Sequence, residues 1–90
     1  MSDIRKHLDE LRSDEEFMNE FNALAAQYEL ARQVIEARIA LGITQKQLAD
    51  RIGTSQANIS KLEHAELNPS LDMAQRVAKG LGKRLSVSLS

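Results

Sequence analysis

Large apolar side chains recur along the first half of the chain at alternating spacings of four and three residues. The series is Phe17, Phe21, Leu24, Tyr28, Ala31 and Ile35. Because an α-helix has 3.6 residues per turn, this spacing places the whole series on one helix face. The pattern predicts one long helix over residues 14–41, begun by a capping box at Ser13 and Glu16 and ended by Gly42. A short amphipathic helix is expected before it.

Three shorter helices are predicted over residues 44–82, each begun by a hydroxyl side chain. The capping residues are Thr44, then Thr54 or Ser55, then Ser70. Gln47 completes a capping box with Thr44, and Gly53 separates the first two of these helices. The sequence is 42% hydrophobic but only 3% aromatic, so its core must consist of aliphatic side chains, which suits packed helices. The predicted fold class is an all-α bundle of four to five helices.

The end of the chain has a different period. Leu85, Val87 and Leu89 alternate with serines, which predicts a short C-terminal β-strand over residues 83–90. The sequence offers no second strand, and a lone strand would leave its backbone groups unpaired. The strand is therefore predicted to pair between chains, across a two-fold axis of a homodimer. The alternative is a tail that packs Leu85 and Val87 loosely on the bundle.

Length and composition exclude several classes of function. Ninety residues allow one domain and an arm, and the chain has no cysteine. No apolar run approaches the roughly 20 residues of a membrane span, and no secretory signal is present, so we expect a cytoplasmic protein without a membrane partner. The two histidines lie in unrelated contexts, and the sequence has no catalytic Ser/His/Asp grouping, metal-ligand spacing or glycine-rich phosphate loop. We expect no enzyme, no metal and no cofactor.

Side-chain amides cluster around the turn at Gly53. They are Gln45, Gln47, Gln56, Asn58 and Asn68. Amides are poor core residues, but they recognise polar edges well. Two short helices joined by a glycine turn form a helix-turn-helix pattern, whose second helix lies in the major groove of double-stranded DNA. The expected base-edge residues are Ser55, Gln56, Ala57, Ser60 and Lys61, and the expected phosphate contacts are Gln45, Asn58, Asn68 and Ser70.

Charge is divided unevenly along the chain. Residues 1–29 contain eight acidic and three basic residues, a net charge of −5, whereas residues 30–90 carry +4. Such a division suggests two partners of opposite charge, although chance alone can scatter charge in this way. The predicted organisation is an acidic N-terminal arm over 1–29, a helix-turn-helix domain over 30–82 and the strand over 83–90.

The segments LGITQKQLA, GTSQ, ISKLE and NPS, spaced within residues 31–82, resemble the Xre/Cro-type helix-turn-helix domain of phage repressors. The resemblance implies that Gln45 and Asn58 lie near phosphates and that the base-edge residues are those given above, Ser55, Gln56, Ala57, Ser60 and Lys61. It also implies that Arg38 and Glu63 form a partly buried ion pair. The alternative is that both are solvated surface charges. One departure is His64-Ala65, where many members have a small residue followed by glycine. The turn at this point is therefore expected to differ.

The flanking segments extend the resemblance. An acidic amphipathic arm before the domain and the short tail KRLSVSL after it look like the layout of HigA-like antitoxins of type II toxin–antitoxin modules. This likeness implies a homodimer that neutralises a small basic RelE-like ribonuclease toxin and represses its own operon. The toxin- or dimer-contact residues would be Phe17, Phe21, Leu24, Tyr28, Leu85 and Val87. The first four could instead be covered by the fold itself, and the chain could instead be a stand-alone Xre repressor of the phage or chromosomal type.

Overall fold

The computed structural model describes the backbone of residues 2–89 and the side chains of residues 15–89. The chain forms four helices, α1 (Ser2–Leu41), α2 (Gln45–Ile52), α3 (Gln56–Glu63) and α4 (Leu71–Gly80). No β-strand occurs within residues 2–89. The predicted all-α class is confirmed, and the number of helices is at the lower end of the expected range.

Helix α1 is longer than the sequence pattern predicted. The expected break between a short first helix and a second one at Ser13 is wrong, because the backbone stays helical from Ser2 to Leu41. An N-cap residue needs non-helical backbone angles, so Ser13 does not cap a helix here. The physical reason is that residues 2–41 contain neither glycine nor proline, so nothing interrupts the helix. The predicted end is confirmed, with Gly42 at a φ of 69°.

The length of α1 gives the molecule an elongated shape. A helix of 40 residues is about 60 Å long, at 1.5 Å per residue. This agrees with the longest dimension of the molecule, 61 Å, against 26 and 21 Å for the others. Only the C-terminal part of α1, from Leu30 onward, packs on the other helices. Its residues 15–26 are all exposed and project from the bundle.

The short helices begin at the predicted caps. The Thr44 hydroxyl accepts a hydrogen bond from the Gln47 amide at 3.0 Å, and the Gln47 side chain accepts one from the Thr44 amide at 2.8 Å, which completes the capping box. Gly53 ends α2 at a φ of 72°, in the left-handed region that glycine adopts without steric cost. Ser55 caps α3 and Ser70 caps α4, each through its hydroxyl oxygen.

The core lies where α2, α3 and α4 meet the last turns of α1. Its buried members are Val34, Leu48, Ala49, Ile59, Leu62, Val77 and Leu81. All are aliphatic, as the composition predicted. Leu48 and Ile59 have no exposed surface, so they fix α2 and α3 relative to each other. The core thereby holds the two helices of the predicted helix-turn-helix in one orientation.

The predicted C-terminal strand does not form in the single chain. Residues 83–89 have no regular secondary structure, and residues 84–89 make no backbone hydrogen bond to any other residue within 2–89. Leu85 is half-buried beside α1 and α4, whereas Val87 stays 68% exposed. The strand part of the expected fold is therefore not supported, because a strand needs a neighbouring strand to satisfy its backbone, and the monomer offers none.

The turn after α3 holds an alanine in a strained conformation. Ala65, the residue at which the sequence departs from the family pattern, has a φ of 55°. The left-handed region costs an L-residue about 1–2 kcal/mol. The turn therefore keeps the conformation that glycine favours, although glycine is absent.

We expect Ala65→Gly to raise the free energy of unfolding by up to about 1 kcal/mol, because relief of the left-handed strain outweighs the extra freedom of glycine in the unfolded chain. Urea denaturation followed by circular dichroism measures it. The matched control is Ala57→Gly, in the exposed first turn of α3 with ordinary helical geometry, where a loss is expected. Equal losses in both variants would show that Ala65 is not strained.

Candidate DNA-binding surface

Helix α3 presents one face to the core and another to solvent. Ile59, Leu62 and Glu63 are buried. The predicted base-edge residues lie on the other side. Ser55, Gln56, Ala57 and Lys61 are exposed, and Ser60 is half-buried. Gln56 and Ser60 are four positions apart, as are Ala57 and Lys61, so the members of each pair lie side by side on the outer part of α3, which suits insertion into a major groove.

The start of α3 is held by two hydrogen bonds that involve Asn58. The Ser55 hydroxyl accepts from the Asn58 backbone amide at 3.1 Å, and the Asn58 side-chain nitrogen donates to the Thr54 hydroxyl at 2.9 Å. The side chain of Asn58, predicted as a phosphate contact, is therefore half-buried and partly engaged within the turn. This bond uses one of the two hydrogens on the Asn58 amide nitrogen. The other hydrogen can still be donated to a phosphate. Sequence reasoning missed Thr54 as the residue that orients it.

Arg38 and Glu63 form an ion pair that joins α1 to α3. Arg38 Nε donates to Glu63 Oε2 at 2.8 Å, and Arg38 Nη2 donates to Glu63 Oε1 at 2.9 Å, a bidentate geometry. The side chains are only 17% and 4% exposed. The hydrogen bonds to Glu63 raise the pKa of Arg38 above its usual value. Arg38 Nη1 also donates to the Ile43 carbonyl oxygen at 3.0 Å, just before α2.

Gln45 lies at the first position of α2 and is half-buried. Its side-chain nitrogen donates to Glu63 Oε1 at 3.3 Å. This predicted phosphate contact is thus connected to the buried ion pair, a link that the sequence did not indicate because the two residues are 18 positions apart. Asn68 is exposed in the loop between α3 and α4, and Ser70 uses its hydroxyl to cap α4 by accepting from the Met73 amide at 3.1 Å.

Two arginines of the basic part of the chain have structural partners. Arg51 Nη1 donates to the Gly80 carbonyl oxygen at 3.1 Å, and Arg76 donates to the Ile52 carbonyl oxygen. Each arginine thereby satisfies the last carbonyl of the other one's helix, so α2 and α4 are joined at their C-terminal ends. Both arginines are exposed and keep their positive charge, but these bonds hold part of each guanidinium group against the bundle.

The predicted toxin- or dimer-contact residues fall on two separate surfaces. Phe17, Phe21, Leu24 and Tyr28 lie along α1 and are 64%, 55%, 49% and 62% exposed. The alternative in which the fold itself covers these four side chains is wrong for the single chain. Leu85 and Val87 instead lie in a groove between α1 and α4, beside Ala23, Ala26 and Leu30. Residues two positions apart on a helix differ by about 200° in direction, so Leu24 and Ala26 face nearly opposite sides of α1.

The first surface is acidic as well as apolar. Of the predicted arm over residues 1–29, the structure describes the side chains of residues 15–29, and from here on the arm means this part; it contains four glutamates and no basic residue. The rings of Phe17 and Phe21 stack at a centroid distance of 6.4 Å. At the base of the arm, hydrogen bonds from Arg32 and Gln33 lower the pKa of Glu29 to about 2, so this carboxylate stays ionised.

No helix within the described residues is long and apolar enough to cross a membrane.

Comparisons with known proteins agree with this geometry. An HTH-type transcriptional regulator of Haemophilus influenzae is 36% identical over 74 residues, which are 82% of this chain and 72% of that protein. A second one, of Methanothermobacter thermautotrophicus, is 44% identical over 48 residues, which are 53% of this chain and 70% of that protein. Neither has a characterised function beyond this description.

Two solved structures have a similar fold. The restriction-modification controller protein C.AhdI from Aeromonas hydrophila superposes with a TM-score of 0.65 at 24% identity, over 68% of this chain and 88% of that one. A chain of a toxin–antitoxin module from Streptococcus pneumoniae superposes with a TM-score of 0.58 at 32% identity, over 90% of this chain and 89% of that one.

The sequence model of the family HTH_3, described as helix-turn-helix, matches residues 34–87. This range includes all nine predicted DNA-contacting residues and both members of the buried ion pair. The chain therefore belongs to the Xre-type helix-turn-helix family of DNA-binding transcriptional regulators.

Proposed function

We propose that this chain is an antitoxin that also represses its own operon. In this proposal a homodimer reads operator DNA with α3, and the arm binds a small basic RelE-like ribonuclease toxin. The observation that carries the proposal is the arm itself, an acidic helix whose large apolar side chains stay exposed. A domain that only binds DNA does not need the arm for its core, because none of the core residues lies within residues 15–29.

The physical chemistry of the arm favours a basic protein partner. Five large apolar side chains on the arm are about half exposed or more, namely Phe17, Met18, Phe21, Leu24 and Tyr28. Contiguous apolar surface of this kind marks an interaction site. The flanking glutamates would steer a cationic partner and would repel a second copy of the same arm. The charge therefore favours a toxin over an arm-to-arm dimer seam.

The similarity to a chain of the Streptococcus pneumoniae toxin–antitoxin module supports the same proposal. The alignment covers 90% of this chain, so it reaches beyond the helix-turn-helix domain into α1. The alternative is a stand-alone Xre regulator without a toxin partner, in which α1 would serve only in assembly. The two relatives described simply as HTH-type transcriptional regulators agree equally with that alternative.

The second surface suits a homodimer. The groove between α1, α4 and the tail consists of adjoining hollows of about 290 and 570 Å³. Leu71 and Val87 line this groove and are 67% and 68% exposed. The unpaired backbone of residues 84–89 could add to the same segment of a second chain, which would give the predicted strand its partner. A dimer would place two α3 helices about 34 Å apart and would read a palindromic operator.

The DNA contacts are tested by replacing Gln56 with alanine. A bidentate contact from glutamine to adenine is worth about 1–3 kcal/mol of discrimination, so we expect Gln56→Ala to weaken operator binding by roughly tenfold or more and to relax the preference at one base pair. Fluorescence anisotropy with a duplex from upstream of the chain's own gene measures the affinity. Lys61→Ala should weaken binding as well.

The matched control is Gln75→Ala, an exposed glutamine on α4 away from the α3 face. It should bind as tightly as the wild type. If Gln56→Ala and Lys61→Ala also leave the affinity unchanged, the exposed face of α3 does not read DNA.

The toxin is tested by capture from the native host. We expect the wild-type chain to retain a small basic protein encoded beside it, and Phe17→Ser/Phe21→Ser to lose that protein while still binding the operator duplex. Ile39→Ser is the control, because Ile39 is 63% exposed on α1 but lies outside the arm. If the double variant retains the same protein, the arm is not the docking surface. If neither chain retains any protein while both bind DNA, the stand-alone regulator is correct.

A further inference from the structure

The buried carboxylate of Glu63 accepts a hydrogen bond from Gln45, which is a predicted phosphate contact. We propose that Glu63 is a positioning residue for DNA binding, because it fixes the amide of Gln45 with an N–H group directed at a backbone phosphate. This inference rests on the proposed DNA-binding role of the surface around α2 and α3. It assigns Glu63 a part in recognition beyond its ion pair with Arg38.

The geometry that carries the inference is a fixed acceptor beside a surface donor. Glu63 is held by two hydrogen bonds from Arg38, at 2.8 and 2.9 Å, and its side chain is only 4% exposed. The carboxylate therefore has one orientation. Gln45, at the start of α2, reaches Glu63 Oε1 with its nitrogen at 3.3 Å and is itself half-buried. The amide is thus anchored by its nitrogen in a residue that stays partly exposed.

The chemistry of the amide makes this orientation matter. A glutamine side chain has a donating nitrogen with two hydrogens and an accepting oxygen, whereas a carboxylate and a phosphate only accept. Glu63 can therefore hold the amide only by its nitrogen. One hydrogen is used on Glu63, and the second stays free to donate to a phosphate. Without the carboxylate, the amide could rotate and present its oxygen to the phosphate, which would repel it.

The same pair of residues also fixes the backbone at this point. Arg38 Nη1 donates to the Ile43 carbonyl oxygen at 3.0 Å, one residue before the N-cap Thr44. The ion pair thus holds both the start of α2 and the first side chain on it. A test must therefore separate an effect through Gln45 from a general effect on stability.

The experiment is a cycle of four proteins, namely the wild type, Gln45→Ala, Arg38→Met/Glu63→Leu and the triple variant. Replacing both charges together keeps the net charge, and apolar residues of similar size usually preserve stability at such a site. Thermal unfolding confirms that each protein is folded. Binding is measured by fluorescence anisotropy, with the duplex from upstream of the gene and with a duplex of unrelated sequence at low salt.

We expect Gln45→Ala to weaken binding to both duplexes by at least about tenfold, the loss typical of one hydrogen bond to a charged group. Arg38→Met/Glu63→Leu should lose part of that factor, because the amide keeps its donor but not its fixed orientation, and the triple variant should be no weaker than Gln45→Ala. The slope of affinity against salt should stay unchanged throughout, because glutamine neutralises no phosphate charge. In the free protein, the Gln45 side-chain amide proton that bonds to Glu63 should resonate downfield of its usual NMR position, and it should return to that position in Arg38→Met/Glu63→Leu.

Two results would overturn the inference. One is wild-type affinity in Arg38→Met/Glu63→Leu. The other is a triple variant whose loss is the product of the two separate losses, since independent residues contribute independently. A folded wild type that binds neither duplex contradicts the DNA-binding role itself, and this outcome is distinct from both.

Discussion

Arg38→Met should lower the free energy of unfolding by about 3–5 kcal/mol, because it leaves the carboxylate of Glu63 buried without its main partner. The side chain of Glu63 is 4% exposed and depends on Arg38 for both of its short hydrogen bonds. The remaining contact, from Gln45 at 3.3 Å, is too long to replace them. The free energy of unfolding of a typical domain is only about 5–15 kcal/mol, so this one change should remove a large part of the stability.

Urea denaturation followed by circular dichroism measures this loss. The informative control is Arg38→Met/Glu63→Leu, which we expect to be close to the wild type or more stable, because no charge is left buried. Arg32→Met is a second control, since Arg32 bonds to Glu29 and Glu36 at the exposed surface and should contribute little. A loss below about 1 kcal/mol in Arg38→Met would mean that Glu63 finds water or another donor.

Ile59→Ala should lower the free energy of unfolding by about 2–5 kcal/mol, the range measured for large-to-small changes in well-packed cores. Ile59 has no exposed surface and packs with the other aliphatic residues of the core. It is also one of the side chains that attach α3 to the bundle. The loss of packing should therefore loosen the helix that carries Gln56 and Lys61, and operator affinity should fall even where the protein is still folded.

A graded series makes this prediction sharper. Ile59→Val should cost only about 0.5–1.5 kcal/mol. Ile39→Ala, on an α1 residue that is 63% exposed and lies outside both proposed interfaces, should change stability by no more than about 0.5 kcal/mol. The measurements are urea denaturation for stability and anisotropy for affinity. A similar cost for Ile59→Ala and Ile39→Ala would contradict the position of Ile59 in the core.

Local signals in the sequence predicted the short helices well. The capping box at Thr44 and Gln47, the glycine turn at Gly53 and the caps at Ser55 and Ser70 all have the predicted geometry. Each of these features depends on residues within about four positions of one another, so the sequence contains the whole interaction. The same reasoning failed at Ser13, because a capping box is also compatible with the interior of a continuous helix.

The hydrogen bonds that shape the candidate DNA-binding surface join residues that lie far apart along the chain. The bonds from Arg38 and Gln45 to Glu63 span 25 and 18 positions. Resemblance to a family suggested the first of these bonds, and nothing in the sequence suggested the second. The arginine bonds that join α2 to α4 are of the same kind. Such pairs form only when packing brings the helices together, and their energies depend on burial that local sequence does not specify.

The sequence by itself determined the helices, the amide-rich surface around Gly53 and the acidic arm, because periodicity, capping and charge act over short distances. Tertiary structure decided which of these polar groups stay available. It buried Glu63, engaged Asn58 with Thr54 and placed the tail against the side of α1 that faces away from the exposed aromatic residues of the arm. It also left residues 83–89 without a strand, because a strand exists only where a second one satisfies its backbone.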